Sequence, residues 1–583
     1  MSDRGEVTPE AQPPLERLRD ALERPDAYPH RVDRVDIVQT HLSIVFLAGP
    51  YAYKLKKPVR FGFVDFSTLD RRRHFCHEEV RLNRRLAPTV YHGVVPVVTD
   101  GRGARVGAEV VQRPPTAGGG RGDAEALDWM VRMTRLPQER TLKGLLRRGG
   151  LEGASGAELL ARLASRIADF HATAERGEEI ARQSGWEAVA ANSRENFHEL
   201  RDLTGPTLSP AVLDQLQEHS RRALSQLRPL VEERARRQVP CDGHGDLRLG
   251  HVYHLPDGTA AAAAESAAEG AGPGTGPVAG AGSFVIVDCV EFNPRFRYAD
   301  PVADIAFLAM ELEFEGRAEL ASAFTDRYLD AAADPEGAPL LPYYTAYRDL
   351  VRGKVRTLTA RDEAVPSSER ARAAARATRH FLRALVRLAP PEQRPCLVVL
   401  FGLPGVGKSV LARRLAEESS FVWLDTDRVR RRLVASPPRD PRPRGFEEGR
   451  YSPGWTERVY AEALRETRSL LLEGRRVVVE GSFRGRRHRA AFLEAARELG
   501  VPVLFVVCEA DRETVRRRLA DRSSRSPNDD ASEADWEVYL QMERRWEPIE
   551  GDADVFHRVR TEEGPAAAAA AATRLLREAQ LVR

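Results

Sequence analysis

Lysine is scarce in this chain of 583 residues. Of its 89 basic residues, six are lysine (54, 56, 57, 143, 354 and 408) and 83 are arginine. A surviving lysine therefore marks a place where a compact, strongly hydrated point charge is wanted and arginine cannot imitate it. Cysteine is equally thin. The five residues Cys76, Cys241, Cys289, Cys396 and Cys508 are dispersed with no C-x-x-C pair, which excludes a disulfide framework and a zinc ribbon. No apolar run approaches the length needed to span a bilayer, the alanines from Ala566 to Ala572 being too few and too weakly apolar. Met1 to Glu10 carries no basic-then-apolar leader, and the expectation is a soluble cytoplasmic protein. The net charge of +3 is too small for its length to argue for a nucleic-acid or membrane partner.

What is present is informative. Gly402-Leu403-Pro404-Gly405-Val406-Gly407-Lys408-Ser409 fits G-x-x-x-x-G-K-[ST] at every fixed position. Before it runs Leu397-Val398-Val399-Leu400-Phe401, suited to a buried parallel strand, and Val410 to Glu418 continues with helical periodicity. Gly402, Gly405 and Gly407 let backbone N–H groups turn toward phosphate oxygens, and the helix N-terminus adds a favourable dipole. Lys408 is placed to reach the β- and γ-phosphates of ATP, and the Ser409 hydroxyl to bind Mg²⁺.

The length accommodates two to four domains. A polar lead-in covers 1–35. From Val35 to Val111 the text alternates like an antiparallel sheet, with Ala48-Gly49-Pro50 as a hairpin signal. Leu69 to Leu86 reads as a charged amphipathic helix and Trp129 to Met133 as a strand; a helical stretch runs from Thr141 to Arg237. Residues 259–283, almost wholly Ala, Gly, Glu, Pro, Ser and Thr, form an insertion joining the strands Val252–Leu255 and Phe284–Val287. Helices resume from Pro301 to Leu388, and Ala389-Pro390-Pro391-Glu392 is the clearest linker.

His244-Gly245-Asp246-Leu247-Arg248 precedes one of those strands, and the next ends in Asp288. An aspartate in a catalytic loop followed by one at a strand end suits phosphoryl transfer. With Tyr298-Ala299-Asp300-Pro301-Val302-Ala303-Asp304-Ile305-Ala306, this text resembles the aminoglycoside phosphotransferase family, which shares a bilobal protein-kinase-like fold. The resemblance implies a domain over 36–390, with a small lobe at 36–137 and a helical lobe at 138–390. It implies Asp246 as catalytic base and Asp288 as metal ligand, with His244 and Asp304 holding the loop. Tyr53-Lys54-Leu55-Lys56 resembles the lysine strand, where alternation puts both lysines on one face; Lys56 is preferred for the phosphates and Lys54 is its rival. Glu79 is the partner expected for that lysine, with Glu78 as the alternative. One departure stands out: His251 occupies the place, five residues after the base, where kinases carry a metal-binding Asn. Either His251 hydrogen-bonds a phosphate, or Asn293 supplies an oxygen instead, or the site is weakened.

After the linker at 391–395, residues 396–583 read as a P-loop kinase domain. Asp427-Arg428-Val429-Arg430 resembles the D-x-x-R text of P-loop small-molecule and polynucleotide kinases, where the acid activates the acceptor hydroxyl; Asp425 is the runner-up. Val477-Val478-Val479-Glu480 is a third buried strand, and Glu480 stands where relatives carry Asp near Mg²⁺. Among Arg516, Arg517, Arg518, Arg522 and Arg525, Arg522 is favoured as a lid arginine that neutralises the transferred phosphoryl. The arginine-dense stretch Arg428 to Arg444 lacks interleaved aromatics for stacking bases. The two halves together resemble the bacterial bifunctional aminoglycoside phosphotransferase/ATP-binding proteins.

The leading expectation is an ATP- and Mg²⁺-dependent enzyme with two nucleotide sites, each phosphorylating a hydroxyl of a small-molecule acceptor. Two alternatives remain: a P-loop kinase regulated by a degenerate ligand-binding front half, and a nucleic-acid 5′-hydroxyl kinase in the back half.

Overall fold

The computed structural model describes residues 15–62, 64–99, 103–107, 126–255, 283–433, 451–523, 534–549 and 555–582. Nearly all of the insertion expected at 259–283 lies outside the described residues, as do Arg525 and the side chain of Arg522. The chain forms two compact units, each discontinuous: residues 1–189 with 229–341, and residues 190–228 with 342–583.

The first unit carries a six-stranded antiparallel sheet. Its strands are β1 (Val35–Gln39), β2 (Ser43–Ala48), β3 (Tyr51–Lys56), β4 (Tyr91–Thr99), β5 (Ala104–Val106) and β6 (Ala126–Thr134), in the order β1-β2-β3-β6-β4-β5. Gly49, at φ +57°, makes the turn between β2 and β3 and sets the register Ala48↔Tyr51. Alternation along β3 sends Tyr53 and Leu55 into a core with Leu22, Tyr28 and Phe46, leaving Lys54 and Lys56 on the opposite face. Against that sheet packs the helix Leu69–Asn83, capped by Thr68, whose hydroxyl accepts from Arg71 N. Its buried residues Arg72, Cys76, Glu79 and Asn83 recur at helical spacing. Burial of Arg72 is compensated by both oxygens of Asp128 on β6, at 2.9 and 3.0 Å.

The rest of this unit is mainly helical, with the antiparallel pair β7 (Val252–Leu255) and β8 (Ser283–Ile286) and two short pairs, Arg60–Phe61 with Val64–Asp65 and Cys241–Asp242 with Tyr298–Ala299. The helix Pro301–Phe314 is buried around most of its circumference, so its sequence is largely apolar, Asp304 being the polar residue among its buried positions. Asp300 caps it, accepting from Val302 N at 3.0 Å, and is itself held by the buried Arg234.

The second unit is built on a five-stranded sheet, parallel throughout. Its strands are β9 (Leu397–Phe401), β10 (Val422–Asp425), β11 (Val477–Gly481), β12 (Val503–Glu509) and β13 (Phe556–Arg560), in the order β10-β11-β9-β12-β13. Every residue of β9 is buried, as expected of a central parallel strand covered on both faces. One core joins Leu397, Val399 and Phe401 to Phe197, Leu200, Leu216, Leu350, Phe381 and Leu385. Helices on the amino-terminal side of the 391–393 turn therefore share a core with the parallel sheet. Each such large side chain contributes about 1.5–3 kcal/mol by its burial.

Candidate active sites

In the first unit the face of β3 bearing the lysines meets Glu79. Lys54 Nζ donates to Glu79 Oε1 at 2.8 Å and to Asp288 Oδ1 at 2.7 Å. Lys56 Nζ donates to Glu79 Oε2 at 2.6 Å and pairs closely with Glu291. The two lysines differ in access: the Lys54 side chain is 15% exposed and that of Lys56 is 1% exposed. Glu78, the alternative partner, instead pairs on the helix surface with Arg81. Asp288 follows β8 with its backbone at φ +66°, which is uncommon outside glycine. Burial would raise the Asp288 carboxyl, but the Lys54 ammonium and then His251 hold it well below the usual carboxylate range.

The loop that carries Asp246 is fixed by Asp304. His244 N donates to Asp304 Oδ2 at 2.6 Å and Gly245 N to Oδ1 at 2.8 Å. Burial works to raise the Asp304 carboxyl; the His171 hydrogen bond and the His244 side chain and amide outweigh it and hold the group low. Arg85 secures the start of the loop, donating to the carbonyls of Asp242 and Gly243 at 2.7 and 2.9 Å. His244 is buried, which pushes its imidazole down to about 4 and keeps it neutral, and its Nε2 lies 3.1 Å from Val287 O. Asp246, His251 and Asp288 converge, with one ligand atom from each inside a span of 4.8 Å. Asn293 spends its side chain on its own turn, accepting from Arg295 N at 3.2 Å.

In the second unit β9 runs into the glycine loop and the helix Lys408–Ser419. Gly402, at φ +147°, has no room for a side chain: a Cβ there would lie 2.5 Å from Cys508 O. Lys408 Nζ donates to Leu403 O at 2.9 Å, within the loop. The Ser409 hydroxyl donates to Glu480 Oε1 at 2.5 Å, and Trp423 Nε1 donates to Oε2 at 3.2 Å. Glu480 is brought there by the β-sheet register, paired with Leu400 on one side and Asp425 on the other. Burial pushes its carboxyl up to about 7, against the pull of Lys408 and the Ser409 hydrogen bond. Asp425 ends β10, while Asp427 sits in the first turn of the helix Thr426–Leu433, its amide on Asp425 Oδ1 at 2.8 Å. Arg430 Nε lies 3.8 Å from Asp427 Oδ1. A hydroxyl and a carboxylate beside the loop are the hard oxygen donors that Mg²⁺ prefers, so Ser409 and Glu480 fit that ion.

Arg518 lies against the loop itself: it donates to Thr561 O at 2.6 Å and to Thr561 Oγ1 at 3.1 Å, while Thr561 Oγ1 donates to Val406 O at 2.6 Å. Sequence reasoning grouped Arg518 with the lid and passed over Thr561. The signal available for Thr561 was its place directly after the β13 run, which the loose text Phe556–Arg560 does not advertise.

An AAA domain family model (AAA_33) matches residues 397–549. Among solved structures, a gluconokinase from Sinorhizobium meliloti 1021 is 19% identical, covering 32% of this chain and 94% of its own, with a TM-score of 0.24. A sugar kinase from Janibacter sp. HTCC2649 is 15% identical, covering 32% and 99%, with a TM-score of 0.25. Among the described residues no helix is long and apolar enough to cross a membrane. Similarity over both units is found in the uncharacterized protein Rv2004c of Mycobacterium tuberculosis (strain ATCC 25618 / H37Rv) and the uncharacterized protein Mb2027c of Mycobacterium bovis. Each is 32% identical over 528 residues, which is 90% of this chain and 92% of the relative. With that identity sustained across both compact units, the chain belongs to the same family as these two mycobacterial proteins.

Proposed function

We propose that the chain is an ATP-dependent phosphotransferase with two nucleotide sites, each transferring the γ-phosphoryl group to a hydroxyl of a small molecule. The observation that carries this reading is the Lys408–Ser409 loop held against Glu480, with Asp425 and Asp427 at the end of the neighbouring strand. Asp427 is the group to take the proton of the acceptor hydroxyl as its oxygen attacks the γ-phosphorus, with Asp425 as the rival. The new O–P bond forms as the bond to the β-bridging oxygen breaks, and ADP leaves. Lys408 and the loop amides stabilise the charge on the phosphoryl oxygens. Mg²⁺, held by Ser409 and Glu480, would neutralise charge on the nucleotide phosphates.

In the first unit Asp246 takes the part of the base and Asp288 that of the metal ligand. Lys54, rather than Lys56, is assigned to the nucleotide phosphates, because it alone of the pair joins Glu79 to Asp288. Lys56 braces Glu79 from behind. A second reading keeps phosphoryl transfer in the P-loop unit and makes the first unit a ligand-binding regulator. Arg248 favours it, lying 2.8 Å from Asp246 Oδ1.

ADP release by the full chain, screened over hydroxyl-bearing metabolites, tests both readings. Turnover of different acceptors, one lost in Lys408→Ala and the other in Asp246→Asn, supports two sites. Loss of all turnover in Lys408→Ala, with Asp246→Asn unaffected, supports the regulatory reading. No change in either variant overturns the proposal. Phosphorylation of oligonucleotide 5′ ends alone would replace the small-molecule acceptor.

A further inference from the structure

The imidazole of His251 stands between two carboxylates. Its Nε2 lies 3.4 Å from Asp288 Oδ2, and its Nδ1 lies 3.6 Å from Asp246 Oδ2. The ring's tautomer follows from its hydrogen bonds. Arg248 Nη2, which can only donate, sits 2.7 Å from His251 Nε2, so Nε2 is the acceptor and carries the lone pair. Nδ1–H then donates to the backbone carbonyl of Asp246 at 3.0 Å. A ring N–H fixed on a backbone carbonyl, with the lone pair of the other nitrogen held by a cationic donor that a metal ion can replace, is the arrangement that orients histidine as a metal ligand.

Arg248 shows where positive charge is wanted. Its guanidinium spans Asp246 Oδ1 and His251 Nε2, at 2.8 and 2.7 Å. A dication entering between Asp246, His251 and Asp288 takes over the Nε2 lone pair and leaves Arg248 on Asp246. Metal–ligand bonds of about 2.1 Å put neighbouring ligand atoms roughly 3–3.5 Å apart, so the 3.4 Å pair needs little adjustment. Two carboxylate oxygens and one imidazole nitrogen form a mixed donor set. Mg²⁺ demands oxygen and dehydrates reluctantly, whereas imidazole suits the later first-row ions. We propose that Asp246, His251 and Asp288 form a site for a borderline first-row divalent cation, Mn²⁺ through Zn²⁺, in preference to Mg²⁺.

The inference deepens the reading of the first unit as a nucleotide site and rests on it for the role of Asp288, while it makes Asp246 a metal ligand in place of the base. Its test needs neither nucleotide nor acceptor. Mn²⁺ is titrated into the metal-free full chain carrying Ser409→Ala, which removes the P-loop donor. Free Mn²⁺ is followed by EPR, and bound Mn²⁺ is read by pulsed EPR for coupling to ¹⁴N. The expected result is saturable binding at one site, a ¹⁴N coupling from imidazole, and no displacement by an equal concentration of Mg²⁺. His251→Asn should abolish the coupling and weaken Mn²⁺ by at least the ten- to hundredfold, in order of magnitude, that loss of an outer-shell partner brings. If that variant does not fold, the coupling in the His251 protein decides. Bound Mn²⁺ without ¹⁴N coupling, ready displacement by Mg²⁺, or no binding at millimolar Mn²⁺ would each overturn the inference. Mg²⁺-supported turnover at the first-unit site without ¹⁴N coupling sinks this inference alone. Coupling without any turnover sinks the phosphotransfer reading alone.

Discussion

Ser409 Oγ and Glu480 Oε1 are 2.5 Å apart, so the first turn of the helix after the glycine loop is tied directly to the end of β11. The contact makes a hydroxyl and an acid from distant parts of the chain into one donor pair. Glu480→Gln keeps an acceptor for the hydroxyl and removes the charge. ADP release from the P-loop unit should fall by about a hundredfold or more, comparable to losing one preorganised electrostatic group, with thermal unfolding little changed. Unaltered turnover in a folded variant would remove Glu480 from the site.

Lys56 is wedged between Glu79 and Glu291 with its side chain 1% exposed. Lys56→Ala leaves buried Glu291 without its lysine partner and Glu79 with Lys54 alone, and should cost about 3–5 kcal/mol of stability, the usual penalty for breaking a buried pair. Replacing Lys56 with Met and Glu291 with Leu together should recover most of that loss. Urea unfolding of the single and double variants checks the cycle, and an additive double variant would show that the two do not act as a pair.

Asp349 gives the second unit a pH-dependent stability. Its carboxyl is buried beside His380 Nδ1 at 2.7 Å, and burial pushes it up to about 7 despite Arg383, Arg387 and Arg379. A carboxyl raised above its unfolded value of about 3.9 binds its proton more tightly when folded. The stability it contributes is complete below pH ~4 and is lost as pH rises toward ~7. Asp349→Asn should therefore flatten the pH profile across that window, read by denaturant midpoints from pH 4 to 8. A profile unchanged by the substitution would refute the assignment.

Truncation at the 391–393 turn should fail to give two stable pieces. Phe197, Leu216, Leu350, Phe381 and Leu385 share a core with Leu397, Val399 and Phe401. Residues 396–583 alone should aggregate or melt at much lower temperature than the full chain, whereas restoring 190–228 and 342–395 should rescue solubility. A piece beginning at 396 that unfolds cooperatively at the temperature of the full chain would contradict this.

Much of the P-loop site was legible in the amino-acid sequence because its chemistry is local. The glycines, Lys408 and Ser409 are consecutive, and Glu480 ends an apolar run that reads as a buried strand. Parallel registers then bring Leu400, Glu480 and Asp425 side by side. The ranking of Lys54 and Lys56 was not legible. Alternation places both on one face, and what separates them is which acid each reaches, Asp288 or Glu291, more than 230 residues away. Thr561 was hidden for the same reason, since its contact with Val406 spans 155 residues. The association of residues 190–228 with the parallel sheet is also non-local: those helices are amphipathic, but periodicity does not name the surface an apolar face will meet.

Interleaving of the two units constrains how the protein is made. Residues 190–228 leave the ribosome before 229–341, yet they belong with 342–583. The helices of this second segment must wait, with apolar faces uncovered, while the segment after them completes the earlier body. Thr561 is translated 155 residues after Val406, so the phosphate loop is made long before this brace can reach it. A nascent chain stalled before β13 would display a glycine loop that has its full sequence and lacks the Thr561 brace.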